Sequence, residues 1–207
     1  MKLKICGMRY PENIAEIAAL RPNYLGFIFY GKSPRYAGDL APEIVQTLPS
    51  DILKVGVFVN APEKIIAETV AKYQLDLIQL HGNESPETCL ALRKIRLVIK
   101  AVSVAAANDV AHAAAIYQNA VDYFLFDTKT PLFGGSGAQF DWSALTAYTG
   151  NTPFFLSGGI GADDAEHLKT LHHPQLHAID VNSRFETTPG RKEATELREF
   201  MRKIQKI

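Results

Sequence analysis

The chain repeats one unit eight times: a short β-branched or aromatic run, then a stretch of helical composition. The strand candidates are LKIC (3–6), YLGFIF (24–29), KVGVFV (54–59), LIQL (77–80), VIKAV (98–102), YFLFD (123–127), FFL (154–156) and AIDV (178–181). Helical stretches lie between them, among them PENIAEIAAL (11–20), PEKIIAETVAKY (62–73), DWSALTAY (141–148), DDAEHLKTL (163–171) and KEATELREFMRKI (192–204). Pro-Glu opens three of the helices, after Tyr10, Ala41 and Ala61. Proline is preorganised for the first helical position, and an acidic residue there suits the helix dipole. Ser85-Pro86-Glu87 adds a capping serine before the same pair.

Strand alternating with helix implies parallel strands joined by right-handed crossovers. Strands that are apolar throughout imply a sheet covered on both faces. Eight such units predict an α/β fold: one (β/α)8 TIM barrel domain over residues 1–207, near the lower size limit of that fold. A doubly wound open sheet is the alternative. The Gly-x-Gly-x-x-Gly fingerprint is missing after the first strand, where Cys6-Gly7-Met8-Arg9 stands, and this weakens a dinucleotide-binding reading.

Lys plus Arg is 22 and Asp plus Glu is 22, a formal net charge of zero. A neutral chain has no electrostatic footprint for nucleic acid or for an anionic membrane, so neither is expected as a partner. No apolar run approaches the ~18 residues of a membrane span. The N-terminus alternates Lys with apolar residues and shows no secretory apolar region. Two cysteines, Cys6 and Cys89, make no disulfide framework in a chain this long, which points to a reducing, cytoplasmic setting. Cys89 lies in a helix and reads as packing.

A barrel is also a functional map, because the C-terminal strand ends form the active-site mouth. Cys6 ends strand 1, His81 follows strand 4 and Asp127 ends strand 6. Asp127 after an apolar run suits a general acid whose burial holds its proton; a helix cap or a structural salt bridge is an equal reading. Arg35, fixed by Pro34, suits a carboxylate or a second phosphate, although an isolated arginine there reads as solvated. His81 either orients substrate or caps a turn. The loops after strands 7 and 8 form the usual phosphate site of this fold. There Gly158 and Gly159 let the backbone approach an anion, and a helix N-terminus beside them adds a positive end. Asn182, Ser183 and Arg184 complete the expected cradle, with Arg184 as a bidentate partner. A plain tight turn is the competing reading of Ser157-Gly158-Gly159. The loop PLFGGSGAQF (131–140) reads as a lid. His167, His172, His173 and His177 crowd between helix 7 and strand 8, at the opposite end of the barrel, and read as a solvated turn. No metal site is predicted.

The mouth segments together resemble the phosphoribosylanthranilate isomerase family of tryptophan biosynthesis. The matching motifs are Lys4-Ile5-Cys6-Gly7, Gly26-Phe27-Ile28-Phe29 with Ser33-Pro34-Arg35-Tyr36, Gly56-Val57-Phe58-Val59, Gln79-Leu80-His81-Gly82, Phe126-Asp127-Thr128 with Gly134-Gly135-Ser136-Gly137, Leu156-Ser157-Gly158-Gly159, and Pro189-Gly190. They run in order through all eight units. The resemblance implies an Amadori rearrangement of a small phosphorylated substrate, N-(5-phosphoribosyl)anthranilate. Cys6 would be the general base, Asp127 the general acid and Arg35 the partner of the anthranilate carboxylate. Backbone groups after strands 7 and 8 would hold the phosphate. The implied reaction is redox-neutral and internal, so no cofactor is expected.

The chain departs from the family pattern at Arg9 and at Asn182-Ser183-Arg184-Phe185-Glu186, where Ser-Ser-Gly-Val-Glu is common. A free thiol ionises near pH ~8.5, so Cys6 needs its pKa lowered to act near neutrality. Lys4 shares its strand face, but about 6–7 Å of strand separates the two, so Lys4 is not expected to act on the sulfur directly. Histidine-pathway isomerases perform the same rearrangement on a similar barrel but place an aspartate where Cys6 stands. A non-catalytic phosphate-binding barrel would need neither the thiol nor the acid. Monomer and homodimer both stay open.

Overall fold

A computed structural model describes residues 1–129 and 139–205. Its centre is a closed parallel barrel of eight strands in sequence order. These are β1 (Lys2–Ile5), β2 (Tyr24–Ile28), β3 (Leu53–Phe58), β4 (Leu77–Leu80), β5 (Leu97–Val104), β6 (Tyr123–Thr128), β7 (Phe154–Leu156) and β8 (Leu176–Val181). β8 returns to pair with β1, with Lys4 opposite Asp180 and Ile5 opposite Val181. Among the described residues seven α-helices cover the outside, the first six being α1 (Pro11–Ala18), α2 (Pro42–Gln46), α3 (Glu63–Tyr73), α4 (Pro86–Arg93), α5 (Ala107–Tyr117) and α6 (Ala165–Thr170). Proline starts α1, α2 and α4 as the sequence predicts, and the Ser85 side chain accepts from Thr88 N. In α3 the proline is one position earlier, at the cap.

Two helical stretches differ from the sequence reading. Residues 141–148 form a 3-10 helix, Trp142–Ala147, not an α-helix. The segment is short, and the Thr146 hydroxyl donates to the Ser143 carbonyl, competing for backbone acceptors. Residues 162–171 split into a 3-10 turn, Ala162–Asp164, and the six-residue α6. The loop after β8 folds into a 3-10 turn (Ser183–Phe185) and an antiparallel hairpin of β9 (Glu186–Thr188) and β10 (Arg191–Lys192). Gly190, at φ +87°, makes the turn between those two strands. α7 (Ala194–Gln205) then closes the chain.

The barrel interior sorts by period two along each strand. Tyr24, Val55, Leu77, Ile99, Leu125 and Phe155 form an inner apolar cluster. Two residues further along β4, β6 and β7 stand Gln79, Asp127 and Ser157, which line the mouth. The apolar cluster therefore plugs one end and leaves a polar floor at the other. Among the described residues, no helix is long and apolar enough to cross a membrane.

Candidate active site

At the C-terminal strand ends lies a cavity that opens to solvent. All nine residues singled out from the sequence line it: Cys6, Arg35, His81, Asp127, Gly158, Gly159, Asn182, Ser183 and Arg184.

Cys6 follows β1 directly, with its N–H donating to the Val181 carbonyl at 2.9 Å. Its side chain packs on β2, where a Cβ at Gly26 would stand 2.7 Å from Sγ. Gly7, at φ +78°, turns the chain away, and a side chain there would collide with Asn182 and Arg35. Beneath the sulfur is a buried ion pair, Lys4 Nζ to Asp180 Oδ1 at 2.8 Å. The hydrogen-bond partner of Lys4 Nζ is Asp180, and the lysine charge also bears on the Cys6 sulfur. The lysine charge therefore acts on the sulfur in spite of the strand spacing. Burial pushes the Cys6 thiol above its ordinary value; the Lys4 charge pulls it down, Asp180 adds to the rise, and Lys192 opposes it. Burial also raises the Asp180 carboxyl against the pull of Lys4.

Asp127 ends β6 across the cavity. Its Oδ1 accepts from Thr128 N at 2.9 Å, and His81 Nε2 lies 3.3 Å from Oδ2. The Gln79 amide nitrogen is 3.1 Å from His81 Nδ1. The backbone of His81 is pinned as well, its N–H donating to the Phe58 carbonyl. Behind this loop, Lys100 and Glu84 form a buried pair at 3.1 Å. Glu84 also accepts from the N–H groups of Asn60 and Gly82.

Gly158 and Gly159 have φ of +97° and +63°. A side chain on Gly158 would stand 2.2 Å from the Thr128 hydroxyl. That hydroxyl is itself a buried oxygen with no hydrogen-bond partner, at the edge of the cavity. The expected helix N-terminus is weaker than the sequence suggests. The N–H of Gly161 donates to Asp164 Oδ2 at 2.7 Å, and only a 3-10 turn and a six-residue helix follow. Arg184 is exposed and lies over Gly161, whose Cβ would be 3.2 Å from Nε.

Arg35 is held by Glu186: Nε lies 2.9 and 3.0 Å from its two oxygens, and Nη2 lies 2.7 Å from Oε2. Lys192 Nζ donates to Glu186 Oε1 at 2.7 Å and to Asn182 Oδ1 at 2.6 Å. Burial raises the Glu186 carboxyl, but the Arg35 and Lys192 contacts outweigh it and hold the group below its usual range. Burial depresses Lys192 to about 8 despite Glu186. Asn13 on α1 fixes Lys192 in turn, accepting from its N–H at 2.7 Å and donating to its carbonyl at 2.9 Å.

A family model described as N-(5'phosphoribosyl)anthranilate (PRA) isomerase matches residues 3–203. The chain belongs to this family. A curated N-(5'-phosphoribosyl)anthranilate isomerase of Parabacteroides distasonis is 48% identical over 99% of the chain and 93% of the relative. That of Phocaeicola vulgatus is 42% identical over the full length of both. The phosphoribosyl anthranilate isomerase of Thermotoga maritima superposes with a TM-score of 0.88 at 33% identity, covering all of both chains. A further crystal structure of the enzyme is a complex with reduced 1-(o-carboxyphenylamino)-1-deoxyribulose 5-phosphate; it has a TM-score of 0.82 at 30% identity and covers all of both chains. The Amadori isomerase and the TIM barrel expected from the motifs are therefore the family and the fold of this chain.

The proposed lid, residues 131–140, lies outside the described residues except at its end. There Gln139 Nε2 donates to the Gly159 carbonyl at 3.0 Å and to Asp164 at 2.6 Å. Three of the four histidines between helix 7 and strand 8 have separate partners. His167 stacks on Trp142, His173 Nε2 is 3.2 Å from the Tyr148 carbonyl, and His177 Nε2 is 2.7 Å from the Tyr24 hydroxyl. Sequence reasoning set Lys4 aside and missed Asp180, Glu186 and Lys192 as site residues. One signal was present: a charged residue inside an apolar strand, as in LKIC and AIDV, is rarely buried without a partner.

Proposed function

We propose that the mouth cavity rearranges N-(5-phosphoribosyl)anthranilate to 1-(2-carboxyphenylamino)-1-deoxyribulose 5-phosphate, with Asp127 as general acid and Cys6 as general base. The observation that carries this reading is the placement of a carboxyl and a thiol at the ends of β6 and β1, lining one cavity. Asp127 gives a proton to the furanose ring oxygen. The C1–O bond breaks, and the nitrogen lone pair forms a C1=N iminium. Cys6, as thiolate, takes the C2 proton; the C–H electrons form C1=C2 and neutralise the nitrogen. The enol hydroxyl then loses its proton as C1 gains one, which leaves the C2 ketone. Atoms and electrons balance within the substrate, so the reaction needs no redox partner.

The phosphate is assigned to the backbone of Gly158 and Gly159, with Ser183 and the Arg184 guanidinium closing the cradle. The anthranilate carboxylate is assigned to Arg35. Glu186 occupies Nε and Nη2, so Nη1 is the group proposed to meet it. His81 orients Asp127. Asn182, tied to Lys192, closes the wall beside Cys6.

Loss of substrate fluorescence measures turnover. Cys6→Ala and Asp127→Asn are each expected to lose about 10²–10⁴-fold in kcat while staying folded. Near-wild-type kcat in either variant would overturn that assignment. Arg35→Ala is expected mainly to raise KM, and unchanged kinetic constants would remove Arg35 from the site.

A further inference from the structure

Arg35 is fixed at both ends. Its backbone N–H donates to the Ser33 hydroxyl at 3.1 Å, and Arg9 Nη1 donates to the Pro34 carbonyl at 2.6 Å. At the far end Glu186 meets the guanidinium side-on, with Nε at 2.9 and 3.0 Å from its two oxygens and Nη2 at 2.7 Å. Glu186 is held as firmly, its side chain only 5% exposed. It stands opposite Lys192 in the β9–β10 hairpin, and its Oε1 accepts from Lys192 Nζ at 2.7 Å and from the Gly190 N–H at 3.0 Å. A guanidinium carries its donors in one rigid plane, so two points of contact fix the direction of the rest. Both Nη1 hydrogens remain, on a residue that lines the cavity. Arg35 and Lys192 together face the single negative charge of Glu186, which leaves one positive charge over for a ligand anion. An unpaired arginine would supply charge alone; the buried carboxylate adds direction.

We propose that Glu186 is a positioning residue that sets substrate specificity: by holding Arg35 side-on it aims Nη1 at one place, and the site thereby reads where the carboxylate sits on the substrate ring. The inference rests on the assignment of that carboxylate to Arg35. In an anthranilate the carboxylate is on the ring carbon next to the one bearing nitrogen. A guanidinium free to swing would follow a carboxylate moved one carbon further round. One held by Glu186 does not follow, and the displaced carboxylate loses its hydrogen bond. Holding the side chain still beforehand also removes the ordering of Arg35 from the cost of binding.

The test is calorimetric binding of two ligands: the reduced product with its carboxyl in the ortho position, and the isomer with that carboxyl in the meta position. The parent protein should prefer the ortho ligand by at least about tenfold, the value of a charge-assisted hydrogen bond. Glu186→Gln separates the two sides of the carboxylate. The amide oxygen can still accept from Lys192 and Gly190, whereas the amide N–H2 in the place of Oε2 faces Nη2, donor against donor. In this variant the preference should fall to within about threefold, because the change in net charge acts on both ligands alike. A merely structural defect would weaken both and keep their ratio. Arg35→Ala should lose the preference too, and Glu186→Gln added to it should change the ratio no further. Arg35→Lys leaves Glu186 with its other partners and keeps the proposal testable if Glu186→Gln does not fold. An ammonium has no rigid second edge to aim, so the preference should again be lost. Full preference in Glu186→Gln or in Arg35→Lys, with Arg35→Ala having lost it, would overturn the role of Glu186 alone. Full preference in Arg35→Ala would instead overturn the carboxylate assignment beneath it.

Discussion

His81 Nε2 lies 3.3 Å from Asp127 Oδ2, and the Gln79 amide nitrogen lies 3.1 Å from the other ring nitrogen. The Gln79 amide and the Asp127 carboxylate flank the His81 ring, one at each nitrogen. Gln79, His81 and Asp127 thus form a chain that orients the proposed acid. His81→Asn should lower kcat by roughly tenfold, the value of one hydrogen bond to a charged group. The double variant with Asp127→Asn should lose little more than Asp127→Asn alone, because residues acting as a unit are not additive. Steady-state kinetics on the four proteins decide it. Fully multiplicative losses would disconnect His81 from the acid.

Gly26→Ala tests how tightly the sulfur is held. The added methyl would stand 2.7 Å from Sγ and 3.1 Å from the Cys6 Cα, and neither a backbone atom nor a confined thiol gives way cheaply. A misplacement of the base by about 1 Å can cost on the order of 10²-fold in rate. Overpacking should also destabilise the fold by about 1–3 kcal/mol. We expect kcat to fall far more than the thermal midpoint suggests. A variant with wild-type kcat would show that the sulfur has room to move.

The parts of the site legible in sequence are those that strand ends determine. Cys6, His81 and Asp127 could be placed because eight strand-helix units fix which residues face the mouth. Lys4 and Asp180 could not be joined in the same way. They lie at opposite ends of the chain, and only closure of β8 onto β1 sets them face to face. Lys192 was hidden for another reason. In the sequence reading Lys192 opens the last helix, yet Arg191–Lys192 is a hairpin strand paired with Glu186–Thr188, and Asn13 on α1 holds Lys192 beside Asn182 and Glu186. The split of residues 162–171 was equally invisible, since one Asp164 carboxylate taking the Gly161 N–H decides it.

At the closed end of the barrel, His177 accounts for a pH dependence unrelated to catalysis. Burial, assisted by the charge of Lys2, lowers its pKa below the ordinary 6.5, and its Nε2 meets the Tyr24 hydroxyl at 2.7 Å. The folded state therefore prefers neutral His177. Its contribution to stability is fully present above about pH 6.5 and is lost as pH falls below that value toward the lower folded pKa. His177→Gln keeps a polar partner for Tyr24 without the titration. Urea midpoints measured from pH 7 to pH 5 should fall more steeply for the parent protein than for the variant. Parallel slopes would show that His177 titrates alike in the folded and unfolded chains.

Arg184 stands where the family commonly carries a small residue, and it is exposed at the cavity rim above Gly161. A guanidinium there would meet the substrate phosphate both before and during the reaction, which is uniform binding and acts on KM rather than kcat. The phosphate is remote from the bonds that break, so the rearrangement itself gains nothing further from this contact. Arg184→Ala should raise KM about tenfold, in line with a charge-assisted hydrogen bond of roughly 1.5–3 kcal/mol partly screened by solvent. Added salt should weaken substrate binding more in the parent enzyme than in the variant. Equal KM values and equal salt slopes would place the Arg184 side chain outside the phosphate site and leave the glycine backbone to hold the anion.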